Sequence, residues 1–423
     1  MPAHIESLLL SKRVLLLQGP LGGFFTRLAK WLHGYGIETY KLNFNGGDWF
    51  YFHSKKNVYS YRGRVSQFSQ WLKKFIEVHK IDSVVCFGDC RKYHRIANQI
   101  AEKMGLKFFA FEEGYIRPNY ITFEQDGVNF FSNFSQHMQQ VKIGKKKLPI
   151  DPFVDVQNSF SKMVVDAVMY YLMWVLCMAI YPHYKHHRGM SPLLEIFYWF
   201  VSVYRWIKNA FVEKKTINHF LINQDKKYYV FALQVHNDFQ IRVHSDLKNV
   251  ECYIEKVIES FSQHADKNLH LVIKHHPMDR GYRNYARLIQ QCENRFSVEG
   301  RVHYYCDVHL PNLLKHSLGM VTVNSTTGIQ ALYHGIPVKV LGKALYNLPE
   351  LTYQGSLADF WEKPGLVDSL YFSYFRHELI KYSQLNGAYY GLFPWGKEKG
   401  KDLMHGNSNT IDGVLIKDNL SLP

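Results

Sequence analysis

The chain has 423 residues, 47% of them hydrophobic and 16% aromatic, which places it in the globular class with enough apolar mass for two cores. Its 51 Lys and Arg against 36 Asp and Glu give a net charge of +15, pointing to polyanionic partners: nucleic acid, anionic lipid headgroups or phosphorylated substrates. Six cysteines form no C-x-x-C pair, which argues for a reduced, cytosolic compartment, and the opening MPAHIESLLLSKR is too poor in apolar residues for a secretion signal.

In chain order, RVLLL reads as a first buried strand, followed by the glycine-rich turn QGPLGGFFTRLA at 18–29. A dinucleotide fingerprint here needs glycines at 19, 21 and 24, but Leu21 and Phe24 stand at the last two positions. The next strand, ETYKLNF, also lacks an acidic residue at its ribose-binding end, so a nicotinamide or flavin cofactor is not expected. From 13 to about 125, apolar runs (VLLLQ, TYKLNF, SVVCFG, KFFAFEEG) alternate with helical stretches, the pattern of a parallel, Rossmann-like sheet.

The block from about 150 to 220 breaks this rhythm. MVVDAVMYYLMWVLCMAIY, 163–181, carries one acid, Asp166, and leads into LLEIFYWFVSVYRWIKNAFVEKK. Three readings stand: a transmembrane helix, helices buried against the flanking domains, or a hairpin in a membrane interface. In the last, aromatics sit at headgroup depth and Lys185, His186, His187, Arg188, Arg205, Lys208, Lys214 and Lys215 lie near anionic lipid. From about 228 the strand–helix alternation resumes (YYVFALQ, LHLVIKHHP, RVHYYC, GMVTVN, PVKVLG), and after 357 an aromatic-rich helical stretch can close back across the first domain.

The expected fold is therefore α/β of GT-B type: two facing Rossmann-like domains with a helical, membrane-associating insertion between them. The divisions are a first Rossmann-like domain at 1–150, an insertion at 151–222, a second Rossmann-like domain at 223–357, and C-terminal helices and tail at 358–423. Such a fold carries its ligand at the carboxyl ends of both sheets.

Chemistry-bearing residues collect at those strand ends. FAFEEGYIRP puts Glu112 and Glu113, with Arg117 nearby, where a general acid or base would sit; capping and pairing with Arg117 are the structural alternative. ALQVHNDFQIR sets Asp238 beyond a strand, among Gln234, His236, Gln240 and Arg242, although Asp at a turn is ordinarily a cap. KHHPMDRG ends a strand in Lys274, His275 and His276, with Pro277 fixing the turn. Adjacent histidines point to opposite faces and make a poor metal signal, so a phosphate-facing His276 is the better reading. VTVNSTTGIQALYHGIPV joins strand to helix through Asn324, Ser325, Thr326 and Thr327, gathering hydroxyls and free N–H groups into an anion site.

In this order and spacing, EEGYIRP, QVHNDFQIR, KHHP and NSTTGIQALYHGIPV resemble the capsule-linker Kdo transferases of the KpsS/LipB type, which are related in layout to KpsC and more distantly to bacterial sialyltransferases; the resemblance runs from about 13 to 375. It implies a retaining enzyme that moves Kdo from CMP-β-Kdo to lyso-phosphatidylglycerol, cytoplasmic and peripheral on the inner membrane. By the same resemblance Asp238 is the nucleophile and Glu113, or Glu112, the acid/base. Gln234, Lys274, His276, Pro277, Asn324, Ser325, Thr326 and Thr327 hold the donor. Gly19, Pro20, Gly22, Gly23, Glu112 and Arg117 line the acceptor side, the glycines giving room for donor sugar or acceptor headgroup. Lys185, Arg188, Arg205 and Lys208 face the anionic lipid surface. No metal or other cofactor is expected, and nucleic acid is not a partner; a KpsC-type transferase and the capsule export machinery are further candidate partners. Two other classes compete: another, sialyltransferase-like CMP-sugar transferase, and a non-catalytic capsule export factor.

Overall fold

The computed structural model describes residues 3–53, 56–186, 189, 191–236, 247 and 249–395. Its first sheet is built from β1 (Arg13–Leu16), β2 (Glu38–Asn43), β3 (Val58–Ser60), β4 (Ser83–Phe87), β5 (Lys107–Glu113) and β6 (Tyr120–Gln125), in the order 3-2-1-4-5-6. β1 to β5 run parallel, with Val14 opposite Ser83 on one side and Thr39 on the other. Helices cover both faces, so the central strands are buried throughout and read as continuous apolar runs. β6 is antiparallel to β5.

The second sheet contains β7 (Tyr228–Ala232), β8 (His270–Lys274), β9 (Val302–Tyr305), β10 (Gly319–Thr322) and β11 (Val338–Val340), all parallel, in the order β11-β10-β7-β8-β9. Both sheets thus reverse direction once, between β1 and β4 and between β7 and β10, and an open α/β sheet opens its ligand crevice at such a switch point. The expected GT-B type α/β architecture is what the chain adopts. The two domains also share one apolar core, in which Tyr115, Phe134 and Met138 pack with Ile217, Phe220, Tyr228 and Leu379. The chain then returns to the first sheet: helix Ser369–Ser383 runs directly into β12 (Gln384–Asn386), which pairs antiparallel with β6.

Between the domains lie helix Phe160–Leu176 and the 32-residue helix Pro192–Asn223. The second starts where Ser191 accepts a hydrogen bond from Leu194 N and Pro192 occupies the first turn. No helix among the described residues is long and apolar enough to cross a membrane, which removes the transmembrane reading of 163–181 for those residues. The first helix stops at Leu176, and Asp166, Tyr170, Tyr171 and Trp174 form its buried face.

Candidate active site

The first half of the site sits at the carboxyl ends of β1, β4 and β5. Glu112 closes β5 half-buried, with one carboxylate oxygen accepting from Glu113 N at 3.0 Å, while the Glu113 side chain is exposed. Burial, reinforced by the negative charges of Glu113 and Asp89, pushes the Glu112 carboxyl up to about 7; the Glu113 N–H and the Arg91 guanidinium oppose that rise. A carboxyl poised near neutrality can both accept and return a proton. The two acids that the sequence leaves undecided thus differ in kind, and it is Glu112 that has this environment. Tyr389, on the segment after β12, donates its hydroxyl to Glu112 O at 2.6 Å.

The glycine turn after β1 departs from expectation. Gly22 has φ +94°, and a Cβ there would stand 2.5 Å from Asp166 Oδ2; across the site, Gly47 leaves room for the Tyr170 ring. The space opened at Gly22 is filled by helix Phe160–Leu176, not left for a sugar or headgroup. Gly19, Pro20 and Gly22, with Lys41, Asp48 and Tyr170, line a cavity of about 20 Å³, room for one water. Of the three glycines of this turn, only Gly23 faces open space.

The second half gathers at the β7/β10 switch point. Gln234, just past β7, donates to Asn324 Oδ1 at 2.7 Å and accepts from Asn324 N at 3.2 Å, bridging the two strand ends. Beside it, the Ser325 hydroxyl accepts from Thr327 N and from the Thr327 hydroxyl, and Tyr346 fixes the turn by donating to Ser325 O at 2.6 Å. Gly328 allows this, since a Cβ there would meet the Tyr346 hydroxyl. His276 caps the turn after β8: its Nδ1 accepts from Met278 N at 3.2 Å. Burial, with the positive charges of Lys274 and Arg117, pushes the ring down to about 4. The imidazole is therefore neutral, and because Nδ1 accepts, Nε2 carries the proton and is a donor. Arg117, in the first domain, acts on the ring through its charge only; its Nε donates to Gly114 O at 3.1 Å. Pro277 is exposed beside His276.

Two expected contacts are corrected. Lys274 is buried and its ammonium donates to His275 O at 2.9 Å and Cys306 O at 2.5 Å, so it braces the β8 and β9 ends instead of reaching a donor. Arg205 donates to Arg280 O at 2.6 Å and Arg283 O at 2.9 Å, anchoring the long helix to the second domain instead of facing lipid. Lys185 and Lys208 are both exposed. Asp238 and Arg188, with Gln240, Arg242 and His187, lie outside the described residues. Among the described residues no group of three or more His, Cys, Asp or Glu side chains is placed to hold a metal ion.

With the site in view, residues 82–390 match the family model described as capsule polysaccharide biosynthesis protein. The chain belongs to that family. It is 40% identical over 386 residues to the Escherichia coli capsule polysaccharide export protein KpsS, covering 90% of this chain and 98% of that one. It is 38% identical over 403 residues to the capsule polysaccharide modification protein LipB of Neisseria meningitidis, covering 92% and 95%. Among solved structures it is similar to Thermosulfurimonas dismutans KpsC, a beta Kdo 2,7 transferase, at 13% identity and TM-score 0.38, covering 86% of this chain and 88% of that one.

Two features of this capsule protein escape a reading of its sequence. One is the buried polar cluster of Gln18, Asn45, Asp48 and Tyr170 that ties the insertion to the first domain. The other is the polarity of helix Pro192–Asn223. Three of its polar residues face the protein: Glu195 accepts from Tyr282, Asn209 donates to Asp307 at 2.9 Å, and Glu213 accepts from Cys306 N and Asp307 N. Leu193, Phe197, Phe200, Tyr204, Ile207 and Phe211, spaced three or four apart, are exposed. The helix is amphipathic with its apolar stripe outward, and no position-by-position signal reveals which stripe faces in.

Proposed function

We propose that this capsule family member is a retaining β-Kdo glycosyltransferase that moves Kdo from CMP-β-Kdo to lyso-phosphatidylglycerol, starting the poly-Kdo linker of a Gram-negative capsular polysaccharide. What supports the reading is Glu112, a carboxyl held near neutrality at the end of one parallel sheet, together with a set of neutral donors at the strand ends of the other. Glu112 takes the proton of the acceptor hydroxyl. His276 Nε2–H and the Ser325–Thr327 hydroxyls stabilise the departing CMP phosphate, a leaving group already stable as an anion. Asp238 is assigned the nucleophile by resemblance alone. Two inversions through a covalent sugar restore the starting configuration.

Attachment to the cytoplasmic face of the inner membrane belongs to the same proposal. It is supported by the outward apolar stripe of helix Pro192–Asn223 and by Val164, Val165, Val168 and Leu172, exposed on helix Phe160–Leu176, with Lys208, Lys214 and Lys215 exposed alongside. An acceptor that is itself a lipid calls for an enzyme held at that surface. The rival reading, a non-catalytic export factor, takes its support from the name of the Escherichia coli relative. Incubating the purified protein with CMP-Kdo generated in situ and lyso-phosphatidylglycerol tests both: a β-linked Kdo-lipid is the expected product. Its absence with this acceptor and with Kdo-bearing acceptors would sink the transferase reading in favour of the export factor.

A further inference from the structure

Gln18 stands just beyond β1, at the first sheet's switch point. Its side-chain nitrogen is surrounded: Nε2 donates toward Asp48 Oδ2 at 3.1 Å, the Tyr170 hydroxyl at 3.0 Å and the Tyr184 hydroxyl at 2.9 Å. The Tyr170 hydroxyl is itself held, accepting from Asn45 Nδ2 at 2.7 Å and donating to Asp48 Oδ1 at 3.0 Å. An amide gripped on its nitrogen edge can offer only its oxygen to the other side. That oxygen, Oε1, accepts from Arg91 Nη1 at 3.3 Å. Arg91 lies over the Phe87 ring, 5.2 Å from its centroid, and beside Gly88, where a Cβ would stand 3.5 Å from Arg91 Nε and 3.7 Å from Glu112 Oε2.

We propose that Gln18 and Tyr170 are positioning residues for Glu112: Tyr170, carried by the insertion helix Phe160–Leu176, orients the Gln18 amide, the amide anchors Arg91, and Arg91 holds a fixed positive charge beside the Glu112 carboxyl. The inference rests on reading Glu112 as the acid/base. The groups around that carboxyl explain why the anchor matters. Burial, Glu113 on the same strand and Asp89 beyond β4 push its proton affinity up, and Arg91 pulls it down; Cys86, Tyr115 and Tyr389 also feel its charge. Releasing Arg91 leaves burial and the two carboxylates less opposed, so Glu112 titrates at higher pH. The insertion then does more than cover the first domain: through the hydroxyls of Tyr170 and Tyr184 it helps set the proton poise of the reacting carboxyl.

The test is an infrared pH titration of the full-length protein, the Glu112 carboxyl band being assigned by its loss in Glu112→Gln, run beside the pH profile of kcat/KM for Kdo transfer. Gln18→Leu is expected to move the band's midpoint and the acid limb of the profile upward by a fraction of a pH unit, less than the roughly 1 unit that a closely paired opposite charge contributes, because Arg91 is the weakest of the named influences on that carboxyl. Tyr170→Phe should move both in the same direction by less. Arg91→Lys, which keeps the charge, should stay closer to the parent than Arg91→Met. A midpoint unmoved in Gln18→Leu, with activity lowered equally at every pH, overturns the relay and leaves a packing role. An unmoved midpoint in Tyr170→Phe overturns the part given to Tyr170, and one unmoved in Tyr170→Phe/Tyr184→Phe overturns the part given to the insertion. If Gln18→Leu does not fold, Tyr170→Phe, which deletes one oxygen, carries the test. Full activity in Glu112→Gln would sink the acid/base reading while the infrared shift still reports on the relay, so the two failures are distinguishable.

Discussion

Replacing Phe197, Phe200 and Phe211 together by Ser should detach the protein from anionic vesicles without loosening its fold. The three side chains are 58%, 72% and 81% exposed, so most of their apolar surface is available to a bilayer and little of it contributes to the folded chain. Burying a whole Phe side chain stabilises by about 1.5–3 kcal/mol; the exposed share leaves about 1–2 kcal/mol for each ring, and about 3–6 kcal/mol for the three. At about 1.4 kcal/mol per decade, that is a fall of roughly 10²- to 10⁴-fold in the vesicle partition coefficient. Exposed Lys208, Lys214 and Lys215 add about 1 kcal/mol each near an anionic surface, so salt alone should loosen the parent only in part. The assay is co-sedimentation with phosphatidylethanolamine/phosphatidylglycerol vesicles, with thermal unfolding in parallel. Stability should stay within about 0.5 kcal/mol, as for other surface substitutions. Sedimentation equal to the parent's would refute the outward face as a lipid contact, and a concentration-dependent dimer lost in the variant would assign the stripe to a second copy of the chain.

Gly22→Ala combines a left-handed backbone, φ +94°, with a Cβ 2.5 Å from Asp166 Oδ2, and should cost about 1–3 kcal/mol and lower Tm by several degrees; an unchanged Tm would show that the insertion helix does not dock there. His276→Ala removes a donor to a charged phosphate, worth about 1.5–3 kcal/mol, and should raise the KM for CMP-Kdo about 10- to 100-fold with the acceptor KM spared, whereas equal damage to both would displace His276 from the donor. Burial holds His4, His275, His276 and His303 down to about 4 and His94 to about 3. Unfolded histidines protonate near 6.5, so these groups leave stability intact above that pH and withdraw it as pH falls from about 6.5 toward 4. Glu112 and Glu124, pushed up to about 7 and 8, act with opposite sign, withdrawing stability as pH rises above about 4.5. Denaturant melts at pH 7, 6 and 5 should show net loss toward acid, because five imidazoles outweigh two carboxyls; constant stability would contradict the burial of these rings.

The alternation of apolar runs with helical stretches is enough to find the central strands, because β1, β4, β5, β7, β8 and β10 are covered on both faces and cannot be polar. It does not find β12: the three residues Gln384–Asn386 carry no run of their own and form a strand only because β6 offers an edge. At the site, Gln234, His276 and the Asn324–Thr327 turn were legible because polar residues beyond a buried strand have few structural reasons to be there. The choice between Glu112 and Glu113 was not, since it turns on which of two neighbours points inward. Nor was the filling of the glycine turn. Gly22 signals a close approach but not what approaches, and Asp166 lies more than a hundred residues away. Helix Pro192–Asn223 misleads for a third reason: a stripe of aromatics opposite a stripe of polar residues looks the same whichever way it is turned, and only contacts with Tyr282, Asp307 and the backbone of β9's exit decide it.

The late return of the chain to its first sheet bears on how the protein emerges from the ribosome. β6 pairs with β5 on one side but can gain a partner on its other side only when Gln384–Asn386 have been made, about 260 residues after β6 itself, which at roughly 5–20 residues per second is a wait on the order of 13–50 s. Through that interval the nascent first domain presents one open edge of Tyr120–Gln125, and such an edge is a template for pairing with other chains. During the same wait helix Pro192–Asn223 leaves the ribosome before the domain that its inward side will lie against has been completed, so the helix is uncovered on both sides, its apolar stripe included. Synthesis is therefore the stage at which this fold is most exposed to misassembly, and holding the growing chain near a bilayer would shelter the stripe while the sheet waits for its last strand.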